Sequence, residues 1–203
     1  MIAIIQARTS SQRLKNKVLI KIKGKPMISY VIKSIKKSKM IKKLVIATSS
    51  KKSDDPLAQY LKRNFTNIYR GSLRNVAQRM YYAAKKFNAN YFIRISGDSP
   101  FLDKKIIEKA IKIHKKNINK FDLITNVFPR TYPQGQSVEI IKSSLLKKTI
   151  PLMNVDEREH VTKYFYKYPK IFRIKNFKAR KKSNKKLSID TKKDLERLKY
   201  KFR

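Results

Sequence analysis

Short, predominantly apolar runs recur along this chain, most of them separated from the next by a segment with helical spacing. That alternation constrains the fold more than any other feature. Ile2–Ile5, Leu44–Thr48 ("LVIAT"), the brief Ile68–Tyr69 and Tyr91–Ser96 ("YFIRIS") have the length and composition of strands buried on both faces. "FDLIT", "SVEII" and "FRIKNF" continue the series toward the C-terminus. Between and after them lie Pro26–Ile35, "SDDPLAQYLKR", Asn75–Phe87, Lys104 to about Lys116, Asp156–Tyr166 and Thr191–Lys201, each of which reads as a helix. Pro26 suits a first turn, where its missing N–H costs nothing. Asp54 or Asp55 is placed to cap the helix that starts at Pro56. Val76, Met80, Ala83, Ala84 and Phe87 recur with helical period. Strands alternating with helices predict an α/β architecture with a mostly parallel sheet covered on both faces. A length of 203 residues without an internal repeat fits a single domain over 1–203. "KARKKSNKK", Lys178–Lys186, reads as an exposed loop.

In such sheets ligands bind where loops gather at the carboxyl ends of strands, so the polar segments that follow strands are the candidates. The first is "IIQARTSSQRLKNK", Ile4–Lys17, in which a strand runs into hydroxyls and cations before the first clear helix. Serine hydroxyls, successive backbone N–H groups and the side chains of Arg8, Arg13 and Lys17 make a cradle for an anion such as a triphosphate. It is not a P-loop, because the segment has no glycine and no GK[ST] follows. A plain polar surface loop is the competing reading.

"RISGDSP", Arg94–Pro100, delivers Asp98 to the end of a buried strand. One carboxylate there suits Mg²⁺, which keeps most of its waters and adds phosphate oxygens. Alternatively Asp98 caps the next turn, although Asp103 supplies the better N-cap for the following helix. In "LSIDTKKDL", Leu187–Leu195, a short apolar strand ends at Asp190, which either completes a metal site with Asp98 or caps the last helix; Asp194 suits that helix's first turn. "PRTYPQGQSVEI", Pro129–Ile140, presents Arg130, Tyr132 and Gln134 from a turn-rich loop, or is an ordinary crossover. "DEREHVTKYF" brings His160, for which a structural role is the first reading and a catalytic one the second.

Composition narrows the classes. The net charge is +39, from 52 Lys+Arg against 13 Asp+Glu. Such a field attracts polyanions, yet most of it is lysine spread along the chain at helix-surface spacing. Solvated faces are therefore the first reading, steering of an anionic small substrate the second, and a nucleic-acid or membrane role the third. The absence of cysteine excludes disulfides, thiolate zinc sites and a cysteine nucleophile. His114 and His160 are too few for a histidine-rich metal centre. No segment resembles a signal peptide, and no apolar run approaches the roughly 20 residues that span a bilayer, so a soluble cytoplasmic protein without membrane partners is expected.

Taken together, "IIQARTSSQRLKNKVL", "IATS", "DDPLAQYL", "YRGSLRNV", "RISGDSPFLD", "NVFPRTYPQG", "EREHVTKYF" and "SIDTKKDLERL" resemble, in collinear order over nearly the whole chain, the cytidylyltransferase family of the spore-coat polysaccharide biosynthesis type. CMP-Kdo and CMP-sialic acid synthetases are its more distant relatives. The resemblance implies a Rossmann-like three-layer nucleotide-diphospho-sugar transferase fold. It implies transfer of CMP from CTP to a sugar, usually an acidic keto-sugar, with release of pyrophosphate, in surface-glycan biosynthesis. Carried onto this chain, it implies that Ala7, Arg8, Ser10, Ser11, Arg13 and Lys17 hold the base and phosphates and that Arg70, Gly71 and Ser72 lie along the nucleotide. Asp98 and Asp190 would share Mg²⁺, and Arg13, Lys17, Asp98 and Asp190 would form the catalytic set. Arg130, Tyr132, Gln134, Glu139 and His160 would face the sugar. A homodimer is implied as well, with nucleic acid bound only non-specifically through charge.

The chain departs from the family pattern at several positions. Ser10 stands where the family often has glycine, and Lys15–Asn16 where it has Pro-Gly; Asn16 tolerates left-handed backbone and can rescue the turn. Gln134, Ser137 and Asn75 stand where acids are usual, and the sequence ends sooner after its last helix than relatives do. These departures keep open a nucleotide- or sugar-binding relative with lost or changed chemistry. The charge alone keeps open a basic nucleic-acid-binding protein.

Overall fold

The computed structural model describes residues 1–11, 13–65 and 67–202. Strand β1 (Ile2–Gln6) is followed by a small hairpin, β2 (Lys21–Ile22) and β3 (Lys25–Pro26), then α1 (Met27–Lys36), β4 (Lys43–Ser49), α2 (Asp55–Asn64), β5 (Ile68–Gly71), α3 (Val76–Lys86), β6 (Tyr91–Ser96) and α4 (Lys104–Lys116). The second half carries β7 (Leu123–Thr125), β8 (Glu139–Lys142), α5 (Ser143–Thr149), α6 (Val155–His160), α7 (Lys163–Lys167), β9 (Ile174–Asn176) and α8 (Lys192–Leu198). Among the described residues, seven strands form one sheet in the order β5-β4-β1-β6-β8-β7-β9.

The first four strands in that order pair in parallel, as do β7 and β9. Only β8 runs against its neighbours β6 and β7. A parallel pair needs a long crossover between its strands, usually helical. The link from β7 to β8 contains no helix and returns antiparallel. Its loop therefore sits at the carboxyl end of β7, the same end as the polar segments after β1 and β6.

Period-two alternation divides the core between the two faces of the sheet. Ala3, Ile5, Ile46, Ile93, Ile95, Ile124 and Ile140 pack toward Val31, Leu57, Ile107 and Leu198 of α1, α2, α4 and α8. Ile4, Val45, Ala47, Phe92, Leu123 and Ile141 pack toward Met80, Leu146 and Phe165 of α3, α5 and α7. Each fully buried branched side chain contributes about 1.5–3 kcal/mol of transfer free energy, so a strand used on both faces specifies its register strongly. Pro26, expected in the first turn of α1, stands just before it at the N-cap position, whereas several other helices begin at side-chain caps. Asn75 caps α3 by accepting from Gln78 N–H, Asp103 caps α4 by accepting from Lys105 N–H, and Thr191 with Asp194 forms a reciprocal capping box on α8.

Some expectations are redrawn. Leu187–Ile189 is not a strand. It is an extended segment held from both sides, with Leu187 N–H donating to Gln134 O (2.8 Å) and Ile189 N–H to Asp98 O (3.0 Å). The helix expected over Asp156–Tyr166 is two short helices, because Val161 takes φ 51°, ψ −59° and Thr162 N–H closes a γ-turn onto His160 O at 2.5 Å. The β2–β3 hairpin and α5 were not anticipated, both being too short for periodicity to reveal. Asp54 heads α2 but does not cap it; its carboxylate is used elsewhere. No helix among the described residues is long and apolar enough to cross a membrane.

Candidate functional site

The carboxyl ends of β1 and β6 stand side by side. Gly97 N–H donates to Gln6 O at 2.9 Å, and Ala7 N–H donates to Ala47 O at 3.1 Å. A Cβ on Gly97 would lie 2.9 Å from Gln6 O and 3.0 Å from Ala7 Cβ, so the two loops approach this closely only because the residue is glycine. Beyond these ends opens a cleft of about 670 Å³. Ala7, Arg8, Ser10, Ser11, Arg13 and Lys17 line one side of it, and Gly97, Asp98 and Asp190 line another.

The loop after β1 is anchored from beneath by Asp54. That carboxylate is fully buried and accepts from Thr9 N–H (2.6 Å), Thr9 Oγ1 (2.7 Å), Ser49 N–H (3.3 Å) and Ser49 Oγ. Burial would raise its pKa, but the hydrogen bonds from Ser49 and Thr9 hold it below the usual carboxylate range. Thr9 O in turn accepts from Ser11 N–H (2.8 Å) and Asn16 N–H (2.9 Å). Asn16 takes φ 54°, ψ 21°, left-handed backbone that asparagine tolerates. The loop thus closes without glycine, around one threonine, and starts a short 3₁₀ turn at Lys17.

Opposite the loop, Asp98 and Asp190 converge on one cation. Lys17 Nζ lies 3.0 Å from Asp98 Oδ2 and 3.2 Å from Asp190 Oδ1. Asp190 is also reached by Arg13 at 3.4 Å and by Lys186 at 3.3 Å. Burial pushes the Asp190 carboxyl up, but the charges of Lys17 and Lys186 leave it below its ordinary value. Its segment is fixed by a second close approach, since a Cβ on Gly135 (φ +85°) would meet Ser188 N at 2.5 Å. Asp194 then accepts from the N–H groups of Asp190 (3.0 Å) and Thr191 (3.1 Å) and from Lys186 Nζ (2.6 Å).

Two arginines complete the walls. Arg79 of α3 is 2% exposed and donates to Ser72 O at 2.6 Å, yet its Nε has no partner. Burial and the nearby Arg8 charge lower its pKa to about 10, against the opposing pull of Asp54 and Glu159. Arg94 of β6 donates to Gln6 Oε1 (2.9 Å) and pairs with Glu139, its register partner on β8. Glu139 also accepts from Thr162 Oγ1 (2.8 Å) and Tyr166 OH (2.5 Å). Burial and the Glu139 charge drive the Tyr166 phenol well above its usual range. Thr162 follows the Val161 turn, so this buried carboxylate also places the preceding Glu159 and His160, both of which face the cleft. Glu159 closes the ring by pairing with Arg8 at 2.5 Å.

The remaining candidates lie outside the cleft. Arg70 is held by Ser49 O (2.8 Å), Lys51 O (3.0 Å) and Asp55 (2.6 Å). From its segment Leu73, Arg74, Val76 and Arg79, not Arg70, Gly71 or Ser72, line the cavity. Arg130 donates to Ser137 Oγ (3.0 Å) and Tyr132 OH to Lys178 O (3.4 Å). Gln134 bridges Lys186 through backbone. Glu139, 2% exposed, has both carboxylate oxygens engaged, one by Arg94 and the other by Thr162 and Tyr166.

Against known families, the cytidylyltransferase model matches residues 2–200. The chain belongs to the cytidylyltransferase family. Among its relatives is the spore coat polysaccharide biosynthesis protein SpsF of Bacillus subtilis (strain 168), 29% identical over 205 residues, covering 97% of this chain and 83% of that one. A solved cytidylyltransferase from Leptospira borgpetersenii serovar Hardjo-bovis (strain JB197) is 30% identical with a TM-score of 0.92, over 98% of this chain and 84% of that one. CMP:2-keto-3-deoxy-manno-octonic acid synthetase, solved with CTP, is 17% identical with a TM-score of 0.73 over 98% and 97% of the two chains, a likeness of fold. The mostly parallel sheet with helices on both faces is the cytidylyltransferase architecture expected from the sequence.

Sequence reading missed the roles of Arg79, Arg94 and Asp54, as it did those of Arg74 and Glu159, and two of these carried a signal. Arg79 sits three positions after Val76 and four before Ala83, on a stripe that is otherwise apolar. Arg94 interrupts "YFIRIS", where a charge inside a buried strand demands a partner. Asp54 carried none, because a carboxylate before "DP" is indistinguishable from a helix cap.

Proposed function

We propose that this chain transfers CMP from CTP to a hydroxyl of an acidic keto-sugar, releasing pyrophosphate, as a step in surface-glycan biosynthesis. The observation that carries the reading is the convergence of Asp98 and Asp190 on one ammonium, 3.0 and 3.2 Å away, beside a cationic loop in a chain of this family. Two carboxylates meeting at one cation are a donor set that Mg²⁺ accepts when phosphate oxygens and water fill its other positions. Among the described residues no group of three or more His, Asp or Glu is placed to hold a metal alone, which fits an ion that arrives with its nucleotide. Asp98 and Asp190 would hold it, and it would supply charge neutralisation at the α-phosphate and acidify the sugar hydroxyl.

The protein's own contribution is position and field. Arg8, Arg13 and Lys17 surround the phosphates and offset the charge that grows on pyrophosphate as its bond to the α-phosphorus breaks and the sugar oxygen bonds in its place. Arg74, Arg79 and Arg94 extend the cationic lining beyond that loop, which supports an acceptor that carries a carboxylate. No side-chain nucleophile is needed. Losing one preorganised contact of this kind costs about 10²–10³ in rate.

The test is pyrophosphate release from CTP and Mg²⁺ with a panel of 2-keto-3-deoxy sugar acids. Asp98→Asn and Asp190→Asn should each abolish release while circular dichroism shows the fold intact. Release at the wild-type rate by both variants would remove the two carboxylates from the chemistry.

A further inference from the structure

Lys17 does not sit where phosphate binding alone would leave it. Its side chain is 14% exposed and its ammonium is engaged with both Asp98 and Asp190. Among the described residues it is the one ion-pair partner of Asp98; Asp190 also has Arg13 at 3.4 Å and Lys186 at 3.3 Å, but Lys186 is drawn more closely to Asp194 at 2.6 Å. Two carboxylates brought to one point repel unless a cation stands between them.

The acids themselves are held by backbone. Asp98 O accepts from Ile189 N–H at 3.0 Å, and Asp190 N–H donates to Asp194 at 3.0 Å. Lys17 instead reaches them at the end of a flexible four-carbon stem. The carboxylates also take short-range hydroxyl donors, Ser99 Oγ on Asp98 at 3.1 Å and Ser188 Oγ on Asp190 at 3.2 Å, so the acids are tethered locally and the cation between them comes from farther away.

We propose that the Lys17 ammonium is the resident counter-cation of the Asp98–Asp190 pair, displaced when the metal–nucleotide complex enters and transferred to the nucleotide's phosphates. The inference rests on the CTP and Mg²⁺ reading above and concerns how that site is kept and filled. Without nucleotide, a divalent ion must evict an ammonium that has no other anion to go to. With nucleotide, the phosphates receive it and the exchange is one of partners. Metal and nucleotide therefore bind with positive coupling, and each raises the affinity of the other by the same factor. The ammonium also holds the loop after β1 against the ends of the other two segments before any ligand arrives.

The experiment is calorimetry and thermal melting of the full chain with MgCl₂ alone, CTP alone in EDTA, and both. It compares wild type, Lys17→Gln, Lys17→Met and the double variant Lys17→Gln/Asp98→Asn. In EDTA the two single variants melt below wild type. MgCl₂ alone restores them, with an affinity about tenfold or more above that of wild type, the scale on which one ion-pair competitor weighs. The double variant loses that gain, and the coupling between Mg²⁺ and CTP shrinks in both single variants. Equal affinity for MgCl₂ alone in wild type and Lys17→Gln overturns the exchange while leaving CTP binding intact. A wild-type protein that responds to neither CTP nor CTP with Mg²⁺ overturns the functional reading, and the exchange with it.

Discussion

Asp54→Asn tests whether the nucleotide loop is held from below. The Asp54 carboxylate is fully buried and takes four hydrogen bonds, two from Thr9 at 2.6 and 2.7 Å and two from Ser49. Asparagine keeps one oxygen, enough for the Thr9 pair, but turns an NH₂ toward the Ser49 donors. Losing two hydrogen bonds to a charged acceptor, less what relaxation recovers, costs about 2–4 kcal/mol. For a chain of this size that lowers the melting temperature by roughly 4–16 °C. CTP affinity should fall too, although Asp54 does not line the cleft, because Thr9 O organises Ser11 and Asn16. Ile107→Ala, in the core under α4, is the control for stability loss without loop damage: it should melt lower by a comparable margin and bind CTP as wild type does. The pH arm has a definite sign. The folded-state pKa of Asp54 is lowered, so its stabilisation is full above the unfolded carboxylate value of about 3.9 and is lost as pH falls through the folded value. The gap in melting temperature between wild type and Asp54→Asn should therefore close in acid. An Asp54→Asn protein that melts with wild type at neutral pH, or loses stability without losing CTP affinity, refutes the reasoning.

Two further substitutions probe the rest of the frame. Glu139→Gln leaves Arg94 with an uncharged partner and should cost about 3 kcal/mol, the scale for a broken buried pair; if Glu139 places Arg94 and His160 for the acceptor, steady-state kinetics will show a raised KM for the sugar and an unchanged KM for CTP. Asn16→Gly should melt within a few tenths of a kcal/mol of wild type, whereas Asn16→Val should lose about 1–2 kcal/mol, because a β-branched side chain is strained at φ 54°; chemical denaturation of the pair checks both.

Much of the fold was legible because it rests on patterns that a sequence displays directly. The runs at β1, β4 and β6 hold consecutive apolar residues, Ile2–Ile5, Leu44–Ala47 and Tyr91–Ile93, as strands covered on both faces do, and α3 and α4 begin at recognisable caps. What was not legible depends on partners distant in the chain. Leu187–Ile189 is apolar enough for a strand, but a strand needs a neighbour, and here the neighbours are Asp98 O and the turn at Gln134. Asp156–Tyr166 has helical periodicity throughout; the break at Val161 arises because Thr162 is fastened to Glu139 on a strand behind it. Glu139 itself, expected to face the sugar, points into the protein because its register places it beside Arg94. The cationic loop was readable as an anion cradle, whereas its dependence on Asp54, with Asn16 making the turn in place of glycine, is a property of three dimensions.

The charge balance bears on why these contacts matter. With 52 cationic side chains and 13 acids, almost any acid in this chain is electrostatically favoured wherever it lies, so a general need for neutralisation does not explain where the acids are. Asp54, Asp98, Glu139, Glu159, Asp190 and Asp194 all lie in or directly behind one cleft. Asp54 and Glu139 are shielded from solvent there, so each requires its own donors. A surface of lysines steers an anion toward the protein without telling it where to stop. The stopping place is the region where the cations are held in fixed positions by scarce acids, Arg8 by Glu159, Arg94 by Glu139, and Lys17 by Asp98 and Asp190. A phosphate entering there meets guanidinium and ammonium groups already ordered. For Lys17 it meets one whose present partners are the carboxylates a divalent ion would take over, so ordering the cations and reserving the acids are the same arrangement.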